Sequence, residues 1–185
     1  MNHEALARAV YDAAHITGTF TLRSGLVSNE YFDKYLFEAK PDVLRGIAHA
    51  MAPLIPAGTE IIAGLEMGGI PIVTALSLET GMQAAFVRKQ AKAYGTCKLA
   101  EGADIQGKRV CIIEDIITTG GQQLESAAAL RERGAVVDTV LCVILRNEAA
   151  VEALAREELT ARPLFTMAYL QKIAQGCEAG DITLV

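Results

Sequence analysis

The chain has 185 residues, about half of them apolar, with 22 acids against 17 lysines and arginines and a formal net charge of −5. That length suits one domain with a substantial core, and the acidic balance argues against the basic face that a nucleic-acid partner requires. No apolar run reaches the roughly 18 residues of a membrane span, and the opening MNHEALARAVYDAAHIT lacks the charged-then-apolar pattern of an export signal, so a cytoplasmic protein without nucleic-acid or membrane partners is expected.

Cysteine usage points the same way. Cys97, Cys111, Cys142 and Cys177 form no CxxC pair and have no histidine cluster beside them, which argues against zinc. Cys111 and Cys142 lie in apolar runs and read as buried thiols. Cys97 and Cys177 read as exposed, which fits a reducing compartment.

In chain order, Leu6, Ala9, Val10, Ala13 and Ala14 recur at helical spacing and predict a helix over 3–16. The following stretch holds two strand-like pieces, Phe20–Leu22 and Tyr31–Lys34, between Ser-Gly and Ser-Asn turns. Pro41 and Asp42 open a helix through DVLRGIAHAMAPLI. Its Leu44, Ile47 and Met51, with Phe37 before it, either pack the core or line an interface. From residue 60 the pattern becomes regular. EIIAGL, 60–65, is a buried strand, Gly68-Gly69 a turn, IPIVTALSLET a helix and QAAFV, 83–87, a strand. Residues 88–106 read as a long polar loop. RVCIIEDI, 109–116, is a strand apolar on both faces until its acids. GQQLESAAALRERG is a helix closed by Gly134, VVDTVLCVIL, 136–145, a strand, and 147–157 a helix. PLFTMAYL ends the fold as a short strand or extended piece.

Strands without strict alternation, each followed by a helix, predict an α/β domain with a mostly parallel sheet covered on both faces. Ligands of such sheets sit beyond the C-terminal strand ends. Three candidate turns fall there: 66–69, 88–95 and 114–121.

The stretch VCIIEDIITTGGQ, Val110–Gln122, carries the chemistry. Thr118, Thr119, Gly120, Gly121 and Gln122 stand ahead of a helix, where backbone amides and the helix end can wrap a phosphate. The loop is neither GxxxxGK[ST] nor GxGxxG. Glu114 and Asp115 precede it at a strand end, within reach of sugar hydroxyls. A ribose 5-phosphate satisfies both features, its phosphate on 118–122 and its hydroxyls on the acids. Asp115 is expected to face ligand rather than core, and a bulky residue at Gly120 to block the phosphate.

Four blocks together resemble the orotate branch of the type I phosphoribosyltransferases: FTLRSGLVSNEYFD, 20–33, the hood motif; GLEMGGIPI, 64–72, the pyrophosphate loop; RKQAKAYG, 88–95, the mobile loop; and VCIIEDIITTGGQ, the 5-phosphoribosyl 1-diphosphate (PRPP) motif. They run in family order within 3–157. The sequence departs from the common pattern at Glu114, often Asp, at Tyr94, often His, at Leu145, often an Asp preceding the arginine matched by Arg146, and at Arg23, which matches a lysine.

The resemblance implies a type I phosphoribosyltransferase fold over 1–185, with a small hood lobe from 17–40 and the C-terminal segment. It implies transfer of ribose 5-phosphate from PRPP to orotate, giving orotidine 5′-phosphate and pyrophosphate. Arg88, Lys92, Glu114 and Asp115 are then the catalytic residues. PRPP falls to Arg88, Lys89, Lys92, Tyr94, Glu114, Asp115, Ile116, Ile117, Thr118, Thr119, Gly120, Gly121 and Gln122. Orotate falls to Arg23, Phe32, Thr118 and Arg146. Magnesium is the implied cofactor, held mostly by substrate, with Asp115 assisting directly or through water. Cations that bind pyrophosphate as its charge develops lower the barrier to its departure. A homodimer is implied, its 88–102 loop reaching the partner's site. The rivals are a transferase for another nucleobase and a PRPP-sensing regulator without activity; the latter is disfavoured by retention of Arg88, Lys89 and Lys92.

Overall fold

The computed structural model describes residues 1–21, 25–89 and 98–176. Helix α1, His3–Ala14, starts where the Asn2 side chain accepts the Ala5 amide at 2.8 Å, and it buries Leu6, Ala7, Val10, Ala13 and Ala14 along one face. It stops two residues short of the expected end, because His15 already belongs to strand β1, His15–Thr21.

β1 pairs antiparallel with β2, Val27–Phe32, from His15 opposite Phe32 to Thr21 opposite Val27. These strands are longer than the sequence pattern suggested, and Lys34 opens a short helix, α2, Lys34–Glu38, instead of ending a strand. Both strands are mostly exposed and form a two-stranded sheet of their own. With no buried face, residues such as Thr17, Thr19, Asn29 and Glu30 carry no alternation for the sequence to display.

The main sheet has the order β5-β4-β3-β6-β7-β8. β3 (Ile61–Leu65), β4 (Gln83–Val87), β6 (Arg109–Ile117), β7 (Val136–Leu145) and β8 (Thr160–Thr166) run parallel. β5, Ala100–Gly102, is an antiparallel edge inside the stretch expected to be loop. Three residues reading Ala-Glu-Gly carry no strand signal, and their pairing to β4 alone makes them one. PLFTMAYL divides at Thr166. Its first part finishes β8, and the Thr166 hydroxyl then accepts the Tyr169 amide at 3.1 Å to start α7, Met167–Ala174.

Helices cover both faces. On one, α1, α3 (Pro41–Met51), α4 (Gly69–Thr80) and α7 enclose a core that holds Phe37, Ile47 and Met51 fully buried, with Leu44 packed against it. These residues belong to the core. On the other face, α5 (Gly121–Arg131) and α6 (Ala149–Arg156) cover Ile112, Val140 and Cys142. Cys111 and Cys142 are buried, and burial pushes the Cys111 thiol up to about 12.

Candidate active site

The chain enters the parallel sheet at β3, adds β4 on one side, then crosses to place β6 on the other. The loops that leave β3 and β6 therefore diverge, and a crevice opens between them at the C-terminal strand ends. Gly64 pairs with Ile113 across this seam.

Glu114 and Asp115 lie near the C-terminal end of β6, and both are enclosed, at 4% and 1% exposure. The expectation that Asp115 faces ligand rather than core is therefore corrected. Its Oδ1 accepts the Ile116 amide at 2.5 Å, and its Oδ2 lies 2.5 Å from the Lys34 ammonium on α2. Alternation along β6 sends Glu114 to the opposite face. There its Oε2 accepts from the Gln123 side chain at 2.7 Å, and its Oε1 takes the Asp115 amide at 3.1 Å. A third carboxyl, Glu38, sits one helical turn beyond Lys34 at 7% exposure, and its Oε1 has no hydrogen-bond partner among the described residues.

Lys34 pairs with Asp115 alone, and the Asp115 charge acts on both neighbouring carboxyl groups. Burial first, and then the negative charge of Asp115, push Glu38 and Glu114 up to about 8. Burial alone would lower the Lys34 ammonium, but its contact with Asp115 wins and raises it. Burial and the Asp115 charge thus favour the protonated form of Glu114, while Asp115 has a counter-ion in Lys34.

Beyond the acids the chain opens. Ile116 is half-buried and Ile117 buried, whereas Thr118, Thr119, Gly121 and Gln122 are exposed. Gly120 is the N-cap of α5 at φ +85°, and no side-chain hydrogen bond caps the helix. The first-turn amides of α5 face this turn, the arrangement that receives a phosphate. Gly120 itself points away. A Cβ there would meet Leu154 Cγ of α6 at 3.0 Å, so its role is backbone conformation, and steric blocking of the phosphate passes to Gly121.

The 66–69 turn packs under the same crevice. A Cβ on Gly68 would lie 1.5 Å from Asp115 Oδ2, so only glycine admits the carboxylate. α4 begins at Gly69, again without a side-chain cap. Glu66, an odd neighbour for an anion, serves the architecture of the crevice. Its Oε1 accepts the Lys89 amide at 2.6 Å, and its carbonyl faces the Gln122 side chain at 3.5 Å. Arg88 and Lys89 are thereby held across a cavity of about 530 Å³ from Gly121 and Gln122. Arg88 Nε also lies 3.8 Å from Glu101 Oε1 of β5.

Arg146 and Phe32 meet in a second cavity of about 310 Å³, lined also by Tyr11, His15, Glu30 and Gln171. Arg146 is tied to the cradle, because its amide donates to the Ile117 carbonyl at 2.8 Å. Thr118 is the next residue. Arg23, Lys92 and Tyr94 lie outside the described residues. The sequence reading missed Lys34, Glu38, Gln123, His15 and Glu30. The four-residue spacing of Lys34 and Glu38 was a usable signal, hidden by the strand reading of 31–34.

A crevice at the switch point of a doubly wound sheet, floored by a carboxylate cluster and flanked by two uncapped helix starts, defines a phosphosugar-binding α/β protein. The family model of the phosphoribosyl transferase domain matches residues 30–158. The chain belongs to that family, in its orotate phosphoribosyltransferase branch. It is 52% identical over 171 residues to the orotate phosphoribosyltransferase of a Nocardioides species, covering 92% of this chain and 96% of the relative. Among solved structures, Mycobacterium tuberculosis orotate phosphoribosyltransferase with Fe(III) dicitrate superposes with a TM-score of 0.83 at 32% identity, covering 91% of this chain and 98% of that one. The same enzyme in complex with PRPP superposes at 0.78 and 28% identity with the same coverage. The fold is the type I phosphoribosyltransferase fold, as the sequence blocks implied.

Proposed function

We propose that the protein transfers ribose 5-phosphate from PRPP to N1 of orotate, releasing pyrophosphate and forming orotidine 5′-phosphate for pyrimidine synthesis. The observation that carries this reading is the joining of two cavities by one strand end. The phosphate cradle of 118–122 faces Arg88 and Lys89, and the Ile117–Arg146 hydrogen bond sets the cavity of Arg146 and Phe32 beside it. The 5-phosphate rests on the α5 amides. Pyrophosphate lies toward the α4 start and the Arg88-Lys89 pair, with Lys92 and Tyr94 added by the resemblance. The Arg146 guanidinium offers a planar fork to the orotate carboxylate, and the resemblance adds Arg23 of the hood motif. The PRPP complex of the mycobacterial relative supports the donor.

Magnesium enters this proposal with the substrate. Among the described residues no three His, Cys, Asp or Glu side chains converge on an ion site, and Asp115 is occupied by Lys34. The ion would take its ligands from pyrophosphate and water, and direct help from Asp115 does not fit the arrangement. The resemblance supports a homodimer in which residues 88–102 of one protomer reach its partner's site, a point that sedimentation equilibrium tests. A donor as charged as PRPP does not cross membranes unaided, which supports a cytoplasmic site of action.

The test is a base panel. Purified protein with PRPP and magnesium is offered orotate, uracil, hypoxanthine and adenine, and pyrophosphate release is followed. Release with orotate alone is expected. Preference for a purine would transfer the protein to another branch, and PRPP binding without release on any base would make it a sensor.

A further inference from the structure

Lys34 is absent from every motif named above, yet it makes the closest ionic contact at the site. Its ammonium lies 2.5 Å from Asp115 Oδ2, a buried carboxylate oxygen. The carboxylate it holds is a junction. Oδ1 takes the amide of Ile116, at the root of the phosphate cradle, and Oδ2 fills the space that a Cβ on Gly68, in the turn that precedes α4, would need. Lys34 is itself well anchored. The Asp33 side chain caps α2 by accepting the Tyr35 amide at 3.0 Å, the Asp33 amide donates to the Ala14 carbonyl at 2.8 Å, and Phe37 is fully buried in the core.

We propose that Lys34 is a positioning residue for the PRPP site: from α2 it clamps Asp115 between the cradle and the 66–69 turn and cancels its charge there. Two physical effects follow. A carboxylate free to rotate would release the Ile116 amide and lose its seat on Gly68, so the two phosphate-binding turns would no longer share a fixed point. A carboxylate without its counter-ion would also stand as a bare negative charge beneath a site that receives a polyphosphate, in surroundings of low dielectric where such repulsion is strong. Glu38, buried next to the pair, sharpens this, because losing the ammonium leaves two carboxyl groups facing each other.

The inference rests on the PRPP reading, and a double-mutant cycle separates the two. Wild type, Lys34→Met, Asp115→Asn and the double variant are titrated with PRPP by calorimetry, and KM for PRPP, KM for orotate and kcat are measured on each. Lys34→Met is expected to weaken PRPP binding at least tenfold and raise its KM, with KM for orotate changed less than threefold. In the Asp115→Asn background the same change should cost less than threefold, because Lys34 acts through the carboxylate. Lys34→Arg retains the charge and should recover most of the PRPP affinity; it also keeps the question answerable should Lys34→Met fail to fold. Equal losses for PRPP and orotate, or a fall in Tm with PRPP affinity unchanged, would make Lys34 merely structural. Additive losses in the cycle would mean that Lys34 touches substrate itself. If the wild type binds no PRPP, it is the functional reading that falls; if it binds and the variants match it, only the role of Lys34 is lost.

Discussion

At the end of β6, Asp115 pairs with the Lys34 ammonium near Glu38 and Glu114, and all three carboxyl groups are almost sealed from water. In the cavity beside Arg146, Glu30 pairs with His15 at 2.8 Å, yet the Glu30 side chain is 68% exposed. The same residue types thus serve opposite ends. The sealed cluster fixes a shape, since each polar atom that loses its partner there costs the full desolvation penalty. The open cavity keeps its groups partly solvated, where a polar pair contributes little to stability and the side chains stay free to meet a ligand. Disturbing the first region should damage fold and donor binding together, whereas disturbing the second should change the acceptor alone.

The largest effect is expected at Gly68. Valine there would drive its Cβ to within 1.5 Å of Asp115 Oδ2 and displace the buried carboxylate. Gly68→Val should cost about 3 kcal/mol of stability and abolish PRPP binding, as read by thermal denaturation and calorimetry. A stable variant with normal PRPP affinity would show that the cluster is softer than its burial implies.

Arg146→Ala comes next and tests the open side. A charge-assisted hydrogen bond contributes roughly 1.5–3 kcal/mol, and each 1.4 kcal/mol is about tenfold in affinity. Orotate binding should fall by roughly ten- to over a hundredfold, while PRPP binding and Tm stay near wild type. The preference for orotate over uracil, which lacks the carboxylate, should shrink with it. A loss falling on PRPP instead would erase the division between the two regions.

A paired substitution sharpens the border between them. A Cβ on Gly121 would meet nothing nearer than Thr119 Oγ1 at 4.0 Å, and Gly121 lines the cavity of Arg88 and Lys89. Gly121→Val should weaken PRPP binding about tenfold with little change in Tm. Gly120→Ala forces a left-handed conformation, costing roughly 1–2 kcal/mol, and crowds Leu154, so Tm should fall before affinity does. Reversed results would return the blocking position to Gly120.

The two regions also differ in how they are written in the chain. The cradle and its acids occupy thirteen successive residues, Val110–Gln122, and a strand followed by a small-residue turn and a helix is a local pattern, so its elements were legible. The orientation of Asp115 was not, because it depends on Lys34 and Gly68, which reach it from two other segments. The second cavity is assembled from α1, β1, β2, the turn after β7, and α7, so no window of sequence contains it. Arg146 and Phe32 were found through resemblance, whereas Tyr11, His15 and Gln171 lay on elements with no functional signal. The hairpin that carries Glu30 was under-read for a related reason: lacking a buried face, it shows no period.

The smallest expected effect concerns the proton on Glu38. Burial, and then the Asp115 charge, raise this carboxyl to about 8 from its ordinary 4.5. A group whose folded-state pKa is raised holds its proton in the folded protein after the unfolded chain has released it. Its contribution to stability is therefore fully present below about pH 4.5 and is lost as pH rises through about 8, beyond which the loss is complete. Glutamine has no proton to release, so Glu38→Gln should gain on wild type across that window. The gain is bounded at about 1.4 kcal/mol per pH unit, and readjustment of Lys34 and Asp115 should hold the total to the order of 1 kcal/mol. Thermal denaturation of both proteins at pH 5, 7 and 9 reads it out: near-equal Tm values at pH 5, a lead for Glu38→Gln at pH 7, and the full lead at pH 9. A lead that shrinks as pH rises would mean that Glu38 is ionised and works as a second counter-ion for Lys34. The sealed cluster would then be held by charge pairing throughout, and its contrast with the Glu30–His15 cavity would be one of exposure alone.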